Sequence, residues 1–250
     1  MPRLLLTITA LLALVSLGAQ APQPAALPSF QAVSILPSSG GLIDVHYSPR
    51  TFTARTTSLV ELIEQAYGVK TWEVVGGPNW VRTDRFTVKA TTITDVPQAT
   101  MTLMLRRLLA DEFELQLTPE TQPVGLYRLT VSEATRLTRT SQPAARPTIS
   151  ARQVRDAVSK WEGRSATMSS LAAALAQQLR APVVDDTKLT GGFDFSFEFA
   201  DVSAFGRDDG DPLEGRSIVK ALEQNLGLMI VRGTGPLAVH TIRRASKPSP

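Results

Sequence analysis

The sequence predicts an α+β fold made of two tandem copies of a small helix-strand-strand-helix-strand-strand unit, each with helices packed on small sheets. First, the apolar positions of residues 54–90 recur in 163–199, and those of 105–129 recur in 218–242, without gaps. Second, helical and strand periodicities follow each other in the same order in both stretches. Third, a chain of 250 residues with 43% hydrophobic residues is long enough for two domains of about 100 residues.

The recurrence places similar side chains at equivalent positions of the two copies. The coincident pairs include Leu59 with Met168, Leu62 with Leu171, Val74 with Val183, Phe86 with Phe195, Leu115 with Leu228, Pro123 with Pro236 and Leu129 with Ile242. Because chance supplies few such matches in one register, we expect a duplication. The predicted divisions are a signal peptide at 1–21, a first repeat with extra N-terminal strands at 28–131, a linker at 132–162, a second repeat at 163–243 and a flexible tail at 244–250.

The N-terminus has the pattern of a secretory signal peptide. Arg3 supplies the positive charge, Leu4 to Leu17 form the apolar run, and small residues follow at Gly18 and Ala19. The run is short for a membrane span, and no later stretch is long enough for one. We therefore expect a periplasmic or secreted protein with no stable span after cleavage; a signal retained as an anchor is the alternative.

The first copy is predicted to begin with two added edge strands and a capped helix. The strands are expected at 30–36 and 43–47. Ser58 and Glu61 have the spacing of a capping box, and Gly68 can end the helix in the left-handed conformation. The helix is amphipathic and should pack on a sheet.

The rest of the first copy consists of a turn, a second helix and strands. Gly76 to Trp80 predicts a turn between short strands, because glycine, proline and asparagine favour tight turns. Met104 to Leu109 has helical periodicity, and Arg128 to Val131 is expected to be a strand. The following Ser, Thr, Arg and Pro residues are typical of a linker.

The second copy repeats these signals. Its first helix is predicted to begin near Thr167, and its second lies between Ser217 as N-cap and Gly227 as terminator. Phenylalanine alternates with polar residues from Phe193 to Phe199, a period of two that predicts a half-buried strand.

Three segments carry a resemblance to a known family. Ser58 to Val69, the motif Val75-Gly-Gly-Pro-Asn-Trp and the motif that begins Pro182-Val-Val-Asp-Asp-Thr-Lys resemble an uncharacterised family of exported proteins of soil bacteria. The resemblance implies a domain of unknown function that also occurs fused to membrane metallopeptidases of the antibiotic-sensor type. Each half further resembles the short N-terminal domain of secretins and TonB-dependent receptors, a likeness of pattern that transfers no site.

Few residues are available for metal-dependent or nucleophilic catalysis. The chain has no cysteine, and His46 and His240 are its two histidines, so metal sites and catalytic triads have few ways to assemble. Ser217 and Lys220 have the S-x-x-K spacing of penicillin-recognising enzymes, but the companion motifs are missing, which favours a helix cap. We expect no metal and no cofactor, and the catalytic residues, if any, are unknown.

Charge suggests few partners. The net charge of +3 comes with no basic stripe interleaved with aromatic residues, so we expect no nucleic acid. An acidic loop suggests a calcium site, although its spacing favours a solvated insertion. The loop contains Asp208, Asp209, Asp211 and Glu214.

Two groups of residues are candidate interaction sites. Trp72, Asn79 and Trp80 lie on the predicted turn, where aromatic side chains can anchor a partner; packing of Trp80 in the core is the alternative. A second group alternates on two strands and offers opposite charges at equivalent positions, which predicts contacts between the repeats. This group is Arg85, Lys89, Asp194 and Glu198.

These features favour a non-enzymatic envelope module that binds a protein or peptide through its sheet edges and the tryptophan turn, with strand addition as the mode of recognition. One alternative is a hydrolase of an envelope polymer that uses Asp84, Asp194 and Glu198. Another is a structural oligomerising domain. The sequence leaves the ligand and the oligomeric state open.

Overall fold

The computed structural model describes residues 28–133, 135–141, 146–155, 158–200 and 217–248. The predicted signal peptide and the acidic loop at residues 208–214 lie outside the described residues. Within the described residues, none of the helices has the length and apolar character needed to span a membrane.

The described residues form mainly strands. In chain order these are β1 (Ala32–Pro37), β2 (Asp44–Ser48), β3 (Thr51–Thr57), β4 (Val74–Gly76), β5 (Phe86–Thr91), β6 (Gln116–Val131), β7 (Thr138–Arg139), β8 (Thr148–Arg155), β9 (Val158–Ala166), β10 (Val183–Asp185), β11 (Phe193–Ala200) and β12 (Leu228–Arg244). The helices are α1 (Leu59–Tyr67), α2 (Trp80–Thr83), α3 (Gln98–Glu112), α4 (Met168–Leu179) and α5 (Ser217–Ala221), with a 3₁₀ turn at Thr71–Glu73 and a π-helical turn at Leu222–Leu226.

The predicted fold class is wrong. In the described part of the chain, three four-stranded sheets dominate and the helices are few, so the protein is mostly β rather than a tandem helix-strand-strand repeat. The segments expected to hold two strands at the end of each copy are single long strands, β6 and β12. The interval expected to be a linker contains β7, β8 and the start of β9.

The first sheet has the strand order β1-β5-β3-β2 and is antiparallel throughout. The burial of β3 and β5 alternates, and their inward side chains form a core with α1 and α3. Helix α1 begins as predicted: the Ser58 hydroxyl accepts from the Glu61 N–H, the Glu61 carboxylate accepts from the Ser58 N–H, and Gly68 ends the helix at φ 68°.

The central sheet, β10-β6-β12-β4, contains strands from both halves of the chain. Strands β6 and β12 are antiparallel along almost their whole length, and Pro123 is paired with Pro236. Strand β4 runs parallel to β12, with Val74 beside His240, while β10 runs parallel to β6, with Val183 beside Tyr127. Each half therefore supplies a short strand to the long strand of the other half, which is why two independent tandem units do not form.

The third sheet has the order β7-β11-β9-β8 and is antiparallel. Residues alternate between buried and exposed along β11, which confirms the half-buried strand predicted from the period of two. Its phenylalanines pack with Trp161 of β9 and with α4 and α5 in a second core. The two cores lie at opposite ends of the β6–β12 pair, since Ile242 belongs to the first and Ile230 to the second.

Candidate functional site

A cleft of about 620 Å³ opens where β1 ends beside the α2–β5 connection. One wall is the segment from Pro37 to Gly40, the other runs from Thr83 to Phe86, and Lys247 and Pro248 border the opening. The cleft has both apolar and charged walls, which suits a ligand with apolar and charged groups.

Trp80 lies beside this cleft and belongs partly to the core. It is the first residue of α2, is half-buried, and its ring meets the ring of Phe86 edge-to-face with centroids 6.3 Å apart. Lys247 Nζ lies 5.9 Å from the centre of the indole. Of the other predicted binding residues, Trp72 is half-buried in the 3₁₀ turn and Asn79 is exposed just before α2.

Asp84 is the carboxylate of the cleft. Its Oδ2 lies 2.6 Å from Lys247 Nζ, and Thr83 Oγ1 also contacts Asp84 at 3.2 Å. The hydrogen bond from Lys247 is the main reason why the pKa of Asp84 lies below its ordinary value. The carboxylate is therefore ionised at neutral pH.

Arg85 follows Asp84 but is directed toward helix α1. Its Nη1 lies 2.5 Å from the Glu61 carboxylate, which also accepts from the N–H of Ser58 at 2.7 Å. Lys89 is exposed on β5, where its neighbours across the sheet are Ser34 and Thr53.

Asp194 and Glu198, the other two predicted contact residues, lie in the third sheet. The Asp194 carboxylate accepts from the Ser165 N–H at 2.8 Å and from Thr140 Oγ1 at 2.9 Å, and Glu198 lies 3.4 Å from Arg155. The structure thus gives the two acidic residues partners in their own sheet and places Arg85 and Lys89 at the start and middle of β5 in the first sheet.

The three carboxylates considered for hydrolysis are not brought together. Asp84 borders the first sheet, whereas Asp194 and Glu198 lie four residues apart on β11. Four residues of strand span about 13 Å. Paired glycosidase carboxylates lie roughly 5–9.5 Å apart, so this arrangement does not favour that chemistry.

A second cleft, of about 520 Å³, lies on the third sheet around Ser165 and Asp194. Ser165 has φ 48° and lies where the β9–β11 register shifts. Thr56 has φ 54° at a similar shift between β3 and β5, just before α1. Both residues therefore mark a bulge that turns the chain from a strand into a helix.

The remaining residues singled out in the sequence form no recognisable catalytic site among the described residues. His240 is half-buried on β12, its Nδ1 is buried without a hydrogen-bond partner in the described part of the chain, and its ring lies 6.2 Å from that of Tyr67. His46 and Lys220 are exposed. Within the ranges that the structure covers, no three histidine or acidic residues are grouped so that they could hold a metal ion.

The cleft also involves residues that the sequence did not point to. β1 has one neighbour among the described strands, β5. The Ser38 N–H donates to the Arg85 carbonyl at 2.8 Å, and the register puts Leu36 in the same inward-facing set. The N–H groups of Val33 and Ile35 therefore point away from β5, toward the open edge. Alternation of apolar residues indicated a strand here, but only the pairing identifies which of its sides is open.

Lys247 could be associated with the cleft only through the structure. It follows β12, and Ser246 is held to the first core by its N–H, which donates to the Phe113 carbonyl at 2.7 Å. Nothing in the local sequence relates Lys247 to Asp84, which lies far away in the chain.

A comparison with protein families gives one match, over residues 60–245, to the family described as "Protein of unknown function (DUF3738)". No curated protein and no solved structure matches the chain. The matched segment includes α2, Asp84 and all of β12, so the cleft residues Trp80 and Asp84 lie inside it while β1 and Lys247 lie outside. Because the match covers most of the sequence, the chain belongs to the DUF3738 family of proteins of unknown function.

Proposed function

We propose that this protein is a non-enzymatic binding module of the cell envelope, exported to the periplasm or secreted, that holds an extended segment of a protein or peptide. The segment adds to the open edge of β1 and continues into the cleft beside Trp80. The observation that carries the proposal is the position of this cleft at the end of an edge strand with outward N–H groups.

Edge strands recognise extended peptides through main-chain hydrogen bonds, while neighbouring pockets select side chains. The outward N–H groups of Val33 and Ile35 supply donors, and the Pro37 carbonyl supplies an acceptor close to the cleft. Apolar side chains are exposed along and just after this edge, Leu36 at 60% and Leu42 at 90%, and contiguous exposed apolar surface often marks an interaction site.

The envelope location rests on the signal-peptide pattern of residues 1–21. A partner in the envelope would also accord with the fusions to membrane metallopeptidases that the sequence resemblance implies. The absence of cysteine suits a protein that must fold without a disulfide framework.

The test is crosslinking of the tagged protein in cells, followed by mass spectrometry of the envelope proteins that co-purify. The decisive variant is Val33→Pro, which removes one outward N–H and puts a ring on the open edge. The matched control, Val33→Thr, keeps both the N–H and the β-branched shape. Thermal melting checks that both variants are folded.

We expect one enriched envelope protein that is recovered with the wild type and with Val33→Thr but lost with Val33→Pro. Recovery of the same protein with all three chains would contradict strand addition at β1. If no protein exceeds the untagged control, the binding-module proposal itself fails.

A further inference from the structure

The cleft already holds a cationic side chain of this protein. The Lys247 ammonium lies 2.6 Å from the Asp84 carboxylate and 5.9 Å from the centre of the Trp80 ring. A carboxylate beside an aromatic face is a common way to recognise an ammonium group, because the negative charge and the ring quadrupole both attract a cation.

The elements that form this pair of groups are rigid. Trp80 packs edge-to-face on Phe86, a core residue of β5, and Asp84 follows helix α2 directly. Arg85 does not neutralise Asp84, because its guanidinium is engaged with Glu61. The site is therefore built into the fold, independently of the segment that supplies Lys247.

Lys247 is held in an exchangeable way. Its side chain is 58% exposed and that of Asp84 is 36% exposed. Exposed ion pairs of this kind stabilise proteins little. The segment is fixed one residue earlier, where Ser246 Oγ donates to Glu114 at 2.9 Å, so Lys247 can leave the site without detaching the end of β12.

The cleft has room for more than the lysine that now borders it. Its volume of about 620 Å³ extends past Asp84 to Ile35 and Pro37 of β1. A peptide that lies along the open edge of β1 would thus carry one of its side chains to Asp84 and Trp80.

We propose that Asp84 and Trp80 form a recognition site for the ammonium group of a lysine in an extended peptide, and that Lys247 occupies this site when no ligand is bound. The inference rests on the proposed function and names the ligand chemistry of the same cleft. The protein's own segment thus competes with the ligand.

The test is calorimetric titration of the full chain with a synthetic peptide that copies residues 244–250, and with the same peptide carrying norleucine in place of lysine. Norleucine keeps the aliphatic chain and lacks the ammonium. The chains compared are the wild type, Lys247→Ala, Lys247→Ala with Asp84→Asn, and Lys188→Ala. The last is a matched control, because Lys188 forms a similarly exposed pair with Asp186 at 2.5 Å in the other half.

We expect Lys247→Ala to bind the lysine peptide about fivefold more tightly than the wild type, because the internal competitor is gone. The norleucine peptide should not bind, and Asp84→Asn should weaken binding at least about tenfold. Lys188→Ala should behave as the wild type does. Thermal melting confirms that the Asp84→Asn chain is folded.

Three results would overturn the inference: no binding of the lysine peptide to Lys247→Ala, equal binding of the norleucine peptide, or equal affinity of the wild type and Lys247→Ala. The first two, obtained while an envelope partner is still lost with Val33→Pro, would remove the ammonium site and leave the strand-binding function standing. Tight binding of the lysine peptide, with no envelope protein enriched in the crosslinking experiment, would instead remove the strand-binding function and leave the ammonium site standing.

Discussion

At the scale of single residues, the packing of the third sheet depends on Gly163. A Cβ at this position would lie 2.4 Å from the ring of Phe195 on the neighbouring strand. Phe195 belongs to the second core, so its ring has little freedom to move away. Glycine is required here by a close approach.

We predict that Gly163→Ala lowers the free energy of unfolding by about 1–3 kcal/mol, the usual cost of overpacking a core. Urea denaturation measures the change. Gly125→Ala is the matched control, because Gly125 is also a strand glycine but has nothing within 4 Å of its Cβ position. A Gly163→Ala protein as stable as the control would mean that the ring of Phe195 can repack.

Asp194 is a second residue whose role is local. The N–H of Ser165, and then the hydroxyl of Thr140, hold the pKa of its carboxyl below the ordinary value. A carboxyl whose pKa is lower in the folded state stabilises that state above the unfolded pKa, and the contribution is lost as pH falls through the folded pKa.

We therefore predict that the stability of the wild type falls more steeply than that of Asp194→Asn as the pH is lowered from about 6 to about 3. Urea denaturation across this range tests the slope. Thr140→Val removes one donor and should raise the pKa of Asp194 partway toward its ordinary value, as followed by carboxyl NMR. Parallel pH profiles for the wild type and Asp194→Asn would show that the hydrogen bonds do not favour the ionised form.

At the scale of elements, the two long helices of equivalent position end differently. Helix α1 ends at Gly68 with φ 68°, whereas α4 ends at Arg180 with φ 50°. The left-handed conformation costs a residue with a Cβ about 1–2 kcal/mol, and glycine adopts it freely. The end of α4 therefore stores strain that the end of α1 does not.

We predict that Arg180→Gly raises the free energy of unfolding by about 0.5–1 kcal/mol, because part of the relieved strain is offset by the greater freedom of glycine in the unfolded chain. Thermal or urea denaturation measures it. The reciprocal variant, Gly68→Ala, meets no atom within 4 Å and should lower stability by a similar amount through conformation alone. A destabilised Arg180→Gly would mean that the arginine side chain contributes more than its strained backbone costs.

At the scale of the whole molecule, the central sheet joins the two halves. Strands β6 and β12 pair along almost their full length, and β4 and β10 each pair with the long strand of the other half. The two hydrophobic cores lie at the two ends of this pair. Because backbone hydrogen bonds and core burial both cross between the halves, a break in the intervening chain should not separate them.

We predict that a protein in which residues 142–145 are replaced by a protease site elutes as one species after cleavage, with both fragments present. Size-exclusion chromatography followed by denaturing electrophoresis checks this. The double charge reversal Lys89→Glu with Glu198→Lys should leave the association unchanged, because these residues lie in the first and third sheets rather than the central one. Separation of the fragments under native conditions would contradict the prediction.

Local features were predictable from the sequence because they depend on neighbours in the chain. The capping box of Ser58 and Glu61 needs two residues three apart, and the buried face of β11 needs only the alternation of phenylalanine with polar residues. The position of Trp80 on a turn-like segment was also within reach. These signals act over a few residues and survive in almost any tertiary context.

What the sequence by itself determined about this protein is therefore its local periodicity, the caps of α1, the family to which residues 60–245 belong and the equivalence of positions such as Pro123 and Pro236. Only the tertiary structure decided that β4 and β10 exchange between the halves, and that Lys247 reaches Asp84 across the cleft. The physical reason is that strand pairing depends on long-range backbone hydrogen bonds, which every residue except proline can make. Side-chain patterns therefore identify the strands but not their neighbours.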